Sequence, residues 1–176
     1  FIKDFCKQKH TIICGSTWRN DEYILNKFIE NNSQYNYIIA PHELNYIQKI
    51  KTETKGILFS KIKKKTDISN IIIIDNIGLL SSIYKYAKIA YIGGGFNKGI
   101  HNILEPAVFG LPIIFGPKYN KSLEASELIK LKGAKTIKSY LELEESISKF
   151  ANFDTKITKE YVHSKSGATN KIINSI

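Results

Sequence analysis

Residues 89–117 read IAYIGGGFNKGIHNILEPAVFGLPIIFGP, and this stretch predicts a strand, a glycine turn, a helix and a second strand. Ile89 to Ile92 is a short apolar run of the kind found in a buried strand. The three glycines that follow permit positive φ angles and a close approach of a ligand to the backbone. A strand that passes through glycines into the start of a helix is a natural anion-binding site.

The helix in this stretch is predicted from its end signals. Asn102 and Glu105 have the spacing of a capping box, so we expect the helix to begin at about Ile103. The sequence Gly110-Leu111-Pro112 then ends it. Ile113 to Phe115 has the length and apolarity of a strand that is buried in a parallel sheet.

The rest of the chain also alternates strands and helices. Further strands are predicted at Thr11 to Cys14, Tyr37 to Ala40, Ile57 to Phe59, Ile71 to Ile74 and Lys135 to Ile137. Further helices are predicted at Asp21 to Glu30, Leu44 to Lys51, Leu79 to Tyr86, Ser122 to Lys132 and Tyr140 to Phe150, with a terminal helix at about 155–175. We therefore predict an α/β fold, one domain over residues 1–176 with about six strands in a doubly wound parallel sheet, whose ligands bind at the carboxyl ends of the strands.

Composition excludes several classes of protein. The formal charge is +10, but lysine is spread along the chain and only Lys61 to Lys65 is a dense basic run, so we do not expect nucleic acid binding. Cys6 and Cys14 have no zinc-ligand or disulfide spacing, which favours a reducing compartment. No apolar run is long enough to cross a bilayer. Because the chain begins at Phe1 and contains no methionine, we expect it to be part of a longer protein.

Polar and glycine-rich turns follow four of the predicted strands, and they should meet at one edge of the sheet. The turns are Gly15-Ser16-Thr17, Pro41-His42-Glu43, Asp75-Asn76-Ile77-Gly78, and Gly93-Gly94-Gly95 with His101, Asn102 and Glu105. None of them is a P-loop, and the glycines lack the order and position of a nicotinamide-binding fingerprint.

Taken together and in this order, the motifs resemble the carboxyl-terminal domain of the Kdo (3-deoxy-D-manno-octulosonic acid) transferase family. The resemblance rests on Cys14 to Thr17, Ala40 to His42, Asp75 to Leu80, Gly93 to Gly95, Gly99 to Ala107, and Gly116-Pro117. It covers residues 11 to about 139. Many members have an arginine between the proline and histidine of the second motif, whereas here Pro41 is followed directly by His42.

The resemblance implies the Rossmann-like donor half of a B-type (GT-B) glycosyltransferase. Such an enzyme moves Kdo from CMP-Kdo to a lipid A precursor, inverts the configuration and needs neither metal nor cofactor. Its general base lies in an amino-terminal domain, so this chain alone should contain no catalytic residue and be inactive. The whole enzyme would work at the cytoplasmic face of the bacterial inner membrane and contact the membrane surface, while this part would be soluble.

The resemblance also implies donor-binding roles for ten residues. Ser16 and His42 would contact the phosphate or carboxylate of the donor, the amides near Ile77 and Gly78 would hold cytidine, Asn102 would face phosphate, and Glu105 would accept hydrogen bonds from the ribose. The full set is Ser16, Thr17, His42, Ile77, Gly78, Gly94, Gly95, His101, Asn102 and Glu105.

Each of these residues also has a purely structural interpretation. Asn102 and Glu105 could simply cap their helix, Ser16 could be a turn residue, and His42 could be a surface histidine. Two other functions remain open. One is a UDP-sugar transferase or epimerase of the same fold, and the other is a basic interaction module whose glycines serve packing. A preference for CMP, for UDP, or for neither would separate the three.

Overall fold

A computed structural model describes residues 1–63 and 69–165. In this part of the chain, seven strands form one sheet. They are β1 (Thr11–Thr17), β2 (Asn36–Pro41), β3 (Ile57–Leu58), β4 (Ile71–Ile73), β5 (Ile89–Ile92), β6 (Ile113–Phe115) and β7 (Ala134–Thr136). Their order is β3-β4-β2-β1-β5-β6-β7, and every pair is parallel.

Helices cover both faces of this sheet. They are α1 (Ile2–Gln8), α2 (Arg19–Asn31), α3 (Ile47–Thr54), α4 (Leu80–Ile83), α5 (Leu104–Ala107), α6 (Leu123–Lys130), α7 (Tyr140–Lys149) and α8 (Lys156–Lys165), with 3₁₀ turns at Leu44–Tyr46, Phe59–Lys61 and Tyr84–Tyr86. Ile13 and Ile38 pack with α1, α4, α5, α6 and α8 on one face. Ile12 and Ile39 pack with α2, α3 and α7 on the other. The doubly wound α/β fold is therefore confirmed, because neighbouring strand residues are buried on opposite sides.

The fold places a topological switch point at β1. The chain continues from β1 to β2 on one side of the sheet, whereas β5 pairs with the other side of β1. In a doubly wound sheet the crevice for a ligand lies at the carboxyl ends of the strands where the order reverses. Here that position is the end of β1 and the start of the loop that follows β5.

The predicted turn at Gly15-Ser16-Thr17 is wrong. Strand β1 continues to Thr17, which pairs with Pro41 across a register shift after Gly15. Ser16 takes a positive φ of 52° at this irregularity. A β-bulge adds one residue to a strand without ending it, so pairing with β2 extends β1 through residues that read as a turn.

The predicted capping box at Asn102 and Glu105 is also wrong. The N-cap of α5 is Ile103, and α5 has only four residues. The side-chain oxygen of Asn102 accepts a hydrogen bond from the amide of Leu104 at 3.0 Å. The carboxylate of Glu105 accepts from the side-chain amide of Asn102 at 3.2 Å, where a capping box would require the backbone amide.

Smaller differences concern the lengths of elements. The predicted helix from Leu79 to Tyr86 is α4 followed by a 3₁₀ turn, and a 3₁₀ turn likewise precedes α3. Helix α1 was not predicted, because its buried residues Ile2 and Phe5 are too few to show a period. Lys64 and Lys65 of the basic run and residues 166–175 of the predicted terminal helix lie outside the described residues.

Candidate functional site

The glycine loop, residues 93–95, is held by backbone hydrogen bonds on several sides. The amide of Gly93 donates to the carbonyl oxygen of Gly15 at 2.9 Å, and the carbonyl oxygen of Gly93 accepts from the amide of His101 at 3.2 Å. On the other side, the amide of Lys118 donates to the carbonyl oxygen of Gly95 at 2.8 Å. The loop therefore joins the end of β1 to the segments that follow β5 and β6.

Packing accounts for these glycines. A Cβ atom at Gly93 would lie 2.2 Å from the carbonyl oxygen of Ser16, and one at Gly95 would lie 2.6 Å from the amide nitrogen of Gly116. Gly94 has a φ of 93°, which favours glycine. The loop is thus packed against the backbone around it at the switch point with no room for side chains, and all three glycines are buried.

A buried carboxylate fixes the loop from below. Asp21, in the first turn of α2, is fully buried. Its two oxygens accept hydrogen bonds from the hydroxyl of Tyr91 at 2.8 Å, the amide of Gly94 at 2.8 Å and the amide of Trp18 at 2.9 Å. Burial raises the pKa of this carboxyl, and the three hydrogen bonds oppose that shift. Asp21 thereby ties α2, β5 and the loop together.

Three aromatic rings meet beside the loop, and we call them the ring cluster: Trp18, His42 and His101. The indole nitrogen of Trp18 donates to Nε2 of His101 at 2.8 Å. The ring of His42 stacks on both partners, with centroid distances of 4.6 Å to Trp18 and 4.3 Å to His101. Burial lowers the pKa of His101, and the neighbouring His42 lowers it further.

Asn102 and Glu105 lie next in the chain and form a polar pair through the side-chain hydrogen bond described above. Asn102 is exposed and Glu105 is half-buried. Burial raises the pKa of the Tyr84 hydroxyl, and the nearby charge of Glu105 raises it further. That hydroxyl fills the space beside Gly15, where a Cβ would lie 2.1 Å from it.

Thr17 faces the protein interior. Its hydroxyl donates to the carboxylate of Glu22 at 3.4 Å, and the residue is 1% exposed. Glu22 also pairs with Arg19, the single arginine of the sequence. Arg19 further contacts Glu53 through both terminal nitrogens, at 3.0 and 2.9 Å. This arginine is thus held by two carboxylates within the fold.

The turn after β4 stands apart from the ring cluster. Ile77 is 91% exposed, and Gly78 has a φ of 91° with no atom within 4 Å of the position of a Cβ. Asp75 accepts hydrogen bonds from the amide and hydroxyl of Ser60. In the described part of the chain, no hydrogen bond or ring contact joins Ile77 or Gly78 to the ring cluster. They share with it only the carboxyl edge of the sheet.

A groove of about 450 Å³ lies on the other side of the glycine loop. Its lining includes Lys98, Lys118, Tyr119 and Lys121. Neither this groove nor Trp18 was predicted from the sequence. Trp18 directly follows the first motif and is the only tryptophan of the chain. These two features are the sequence signal from which it could have been predicted.

The described residues form neither a cluster of metal ligands nor a helix that could span a membrane. Within residues 1–63 and 69–165, no group of three or more His, Cys, Asp or Glu side chains is arranged to hold a metal ion. In the same ranges, no helix combines the length and the apolarity required to cross a membrane.

Comparison with known proteins gives a consistent set of relatives. No protein-family model matches the chain. A 3-deoxy-D-manno-octulosonic acid transferase of Aquifex aeolicus is 30% identical over 128 residues, or 70% of this chain and 36% of the relative. A transferase of the same name from Rickettsia bellii is 31% identical over 152 residues, or 81% of this chain and 36% of the relative.

A solved structure agrees with these relatives. It is the C-terminal CMP-Kdo binding domain of WaaA from Acinetobacter baumannii, with a TM-score of 0.71 at 20% identity, and the match covers 92% of this chain and 97% of that one. The chain is a homologue of the Kdo transferases. This Kdo transferase homologue has the fold of one Rossmann-like half of a GT-B glycosyltransferase. It spans about a third of the length of the two relatives.

Proposed function

We propose that this chain is the donor-binding part of a Kdo transferase and that it binds CMP-Kdo at the carboxyl edge of its sheet. The observation that carries the proposal is its sequence identity to transferases of this name, over most of the chain. The site geometry supports it, because the glycine loop and polar side chains meet at the switch point, where doubly wound folds bind nucleotides.

Within this proposal the residues divide by position. We assign Gly94, Gly95, His42 and His101 to binding of the phosphate and the sugar acid of the donor. Glu105 would accept hydrogen bonds from the ribose, with Asn102 orienting its carboxylate. Ser16 lies at the end of β1 with a positive φ, and we assign it to the phosphate or carboxylate of the donor. Ile77 and Gly78 offer exposed backbone for cytidine, and Thr17 would act indirectly through Glu22.

The complete enzyme would transfer Kdo from CMP-Kdo to a hydroxyl group of a lipid A precursor at the membrane surface, with inversion of configuration. Deprotonation of that hydroxyl requires a positioned base. We assign the base to the part of the relatives that this chain does not cover. The chain alone would therefore bind donor nucleotide without transferring Kdo.

Nucleotide selectivity tests the proposal. Isothermal titration of the 176-residue chain with CMP, UMP and UDP should show the tightest binding for CMP. A preference for UDP would instead support a UDP-sugar transferase or epimerase of the same fold. If no nucleotide binds and the chain binds lipid or nucleic acid, the donor-binding proposal is wrong and a basic interaction module is favoured.

Glu105→Gln is expected to weaken CMP binding about tenfold, because hydrogen bonds to a charged acceptor contribute about 1.5–3 kcal/mol. Its melting temperature should stay close to that of the unchanged chain, since a glutamine oxygen can still accept from the side chain of Asn102. Titration calorimetry and thermal melts measure the two effects separately.

Glu142→Gln is the matched control for this substitution. Glu142 also lies in the first turn of a helix, and its carboxylate accepts a hydrogen bond from the amide of Lys138. This variant should bind CMP normally. Unchanged CMP binding by Glu105→Gln would show that Glu105 only orders the start of α5, and that another residue holds the ribose.

A further inference from the structure

The hydrogen bond between Trp18 and His101 determines which nitrogen of His101 carries a proton. The indole nitrogen is 2.8 Å from Nε2 of His101, and an indole N–H can only donate. Nε2 must therefore hold a lone pair. In a neutral imidazole the proton is then on Nδ1, and in an imidazolium ion this hydrogen bond would be lost.

The surroundings of His101 favour its neutral form. The ring is half-buried and the imidazole of His42 stacks on it at a centroid distance of 4.3 Å, and both the burial and the neighbouring His42 lower the pKa of His101. The buried carboxylate of Asp21, which fixes the glycine loop, has its oxygens engaged by Trp18, Tyr91 and Gly94. Among the described residues, no carboxylate forms an ion pair with His101.

The orientation of the ring leaves Nδ1 available. The Cδ2 edge of His101 faces the glycine loop, since a Cβ on Gly94 would lie 3.2 Å from it. Nδ1 is on the opposite edge of the imidazole. No hydrogen bond of Nδ1 is found within residues 1–63 and 69–165, so its N–H can donate to a ligand.

We propose that Trp18 is a positioning residue, which holds His101 as the neutral Nδ1–H tautomer so that His101 donates a hydrogen bond to an anionic oxygen of the bound nucleotide sugar. This inference rests on the proposed donor binding. It assigns to His101 the role of a neutral donor, and it excludes a role as a cation or as a base. It also makes Trp18, which lies outside the ten residues predicted from the sequence, a determinant of affinity.

Ring-nitrogen NMR of the chain with ¹⁵N-labelled histidine tests the tautomer directly at neutral pH. The unchanged chain should show His101 protonated on Nδ1 and not on Nε2. Trp18→Phe keeps an aromatic ring against His42 but removes the N–H donor, so His101 should shift towards the Nε2–H tautomer. His42→Ala keeps the indole N–H, so His101 should remain protonated on Nδ1.

Affinity for CMP is measured on the same variants. Trp18→Phe should bind CMP about tenfold more weakly, because it misdirects a hydrogen bond whose acceptor oxygen is charged. The proposal is wrong if His101 of the unchanged chain is protonated on Nε2 or on both nitrogens. The NMR spectrum of the unchanged chain is sufficient to decide this point. The proposal is also wrong if Trp18→Phe leaves the tautomer unchanged, or changes it without weakening CMP binding.

Failure of the proposed function gives a different result. A chain that binds no CMP but keeps His101 protonated on Nδ1 would contradict donor binding, and with it the ligand part of this inference. The conclusion that Trp18 fixes the tautomer of His101 would then remain valid without a role in ligand binding. A CMP-binding chain with the other tautomer would contradict only the role of Trp18.

Discussion

Gly93→Ala is expected to destabilise the domain by about 3–5 kcal/mol, beyond the usual 1–3 kcal/mol for overpacking. The added methyl group would lie 2.2 Å from the carbonyl oxygen of Ser16 and 2.6 Å from Cα of Thr17. Both contacts are with backbone at the end of β1, where Thr17 pairs with Pro41 of β2, so this backbone cannot move away without breaking the pairing. Urea denaturation followed by circular dichroism measures the loss.

Gly78→Ala is the control for this change, because Gly78 also follows a strand but has open space around it. Its positive φ alone should cost about 1–2 kcal/mol. A Gly93→Ala variant that is as stable as Gly78→Ala would show that the glycine loop can move away from β1. The packing account of the glycines would then be wrong.

Asp21→Ala is expected to cost about 4 kcal/mol, since it leaves three donors without an acceptor, two of them buried, and each unsatisfied buried group costs about 1–3 kcal/mol. Those donors are the hydroxyl of Tyr91 and the amides of Trp18 and Gly94. Chemical denaturation of the variant measures the total. Tyr91→Phe removes only one of the three hydrogen bonds and should cost about 1 kcal/mol.

Glu30→Ala provides the surface reference on the same helix. Glu30 is exposed, and surface substitutions usually change stability by less than about 0.5 kcal/mol. If Asp21→Ala unfolds at the same denaturant concentration as Glu30→Ala, the three donors must find other partners, and Asp21 is not the residue that fixes the loop.

The strands of the sheet core could be predicted from the sequence because a parallel strand is buried on both faces and therefore reads as an unbroken apolar run. Ile71 to Ile73 and Ile113 to Phe115 are of this kind. The end of β1 could not be predicted, because glycine and serine are common in turns. The strand conformation of Gly15 and Ser16 depends on pairing with β2. Local preference was overridden there by a neighbour distant in sequence.

The same reason limits prediction of the site. The residues His42, Gly94, His101 and Glu105 could be named because each lies in a short local motif that resembles the family. Asp21 and Trp18 were not, because their partners in the loop and the ring cluster are 73 and 83 residues away. Asp21 was predicted only as the first residue of a helix, and nothing in its local sequence indicates a buried carboxylate. Tertiary contacts alone reveal these two residues.

Trp18 gives the domain a single built-in fluorophore. It is the only tryptophan of the sequence, and its indole is stacked on one imidazole and hydrogen-bonded to another. When the chain is excited at wavelengths longer than those that tyrosine absorbs, the fluorescence therefore comes only from Trp18, at the edge of the sheet where β1 ends. Emission from this chain reports on that edge with no background from the rest of the fold, and no label has to be attached.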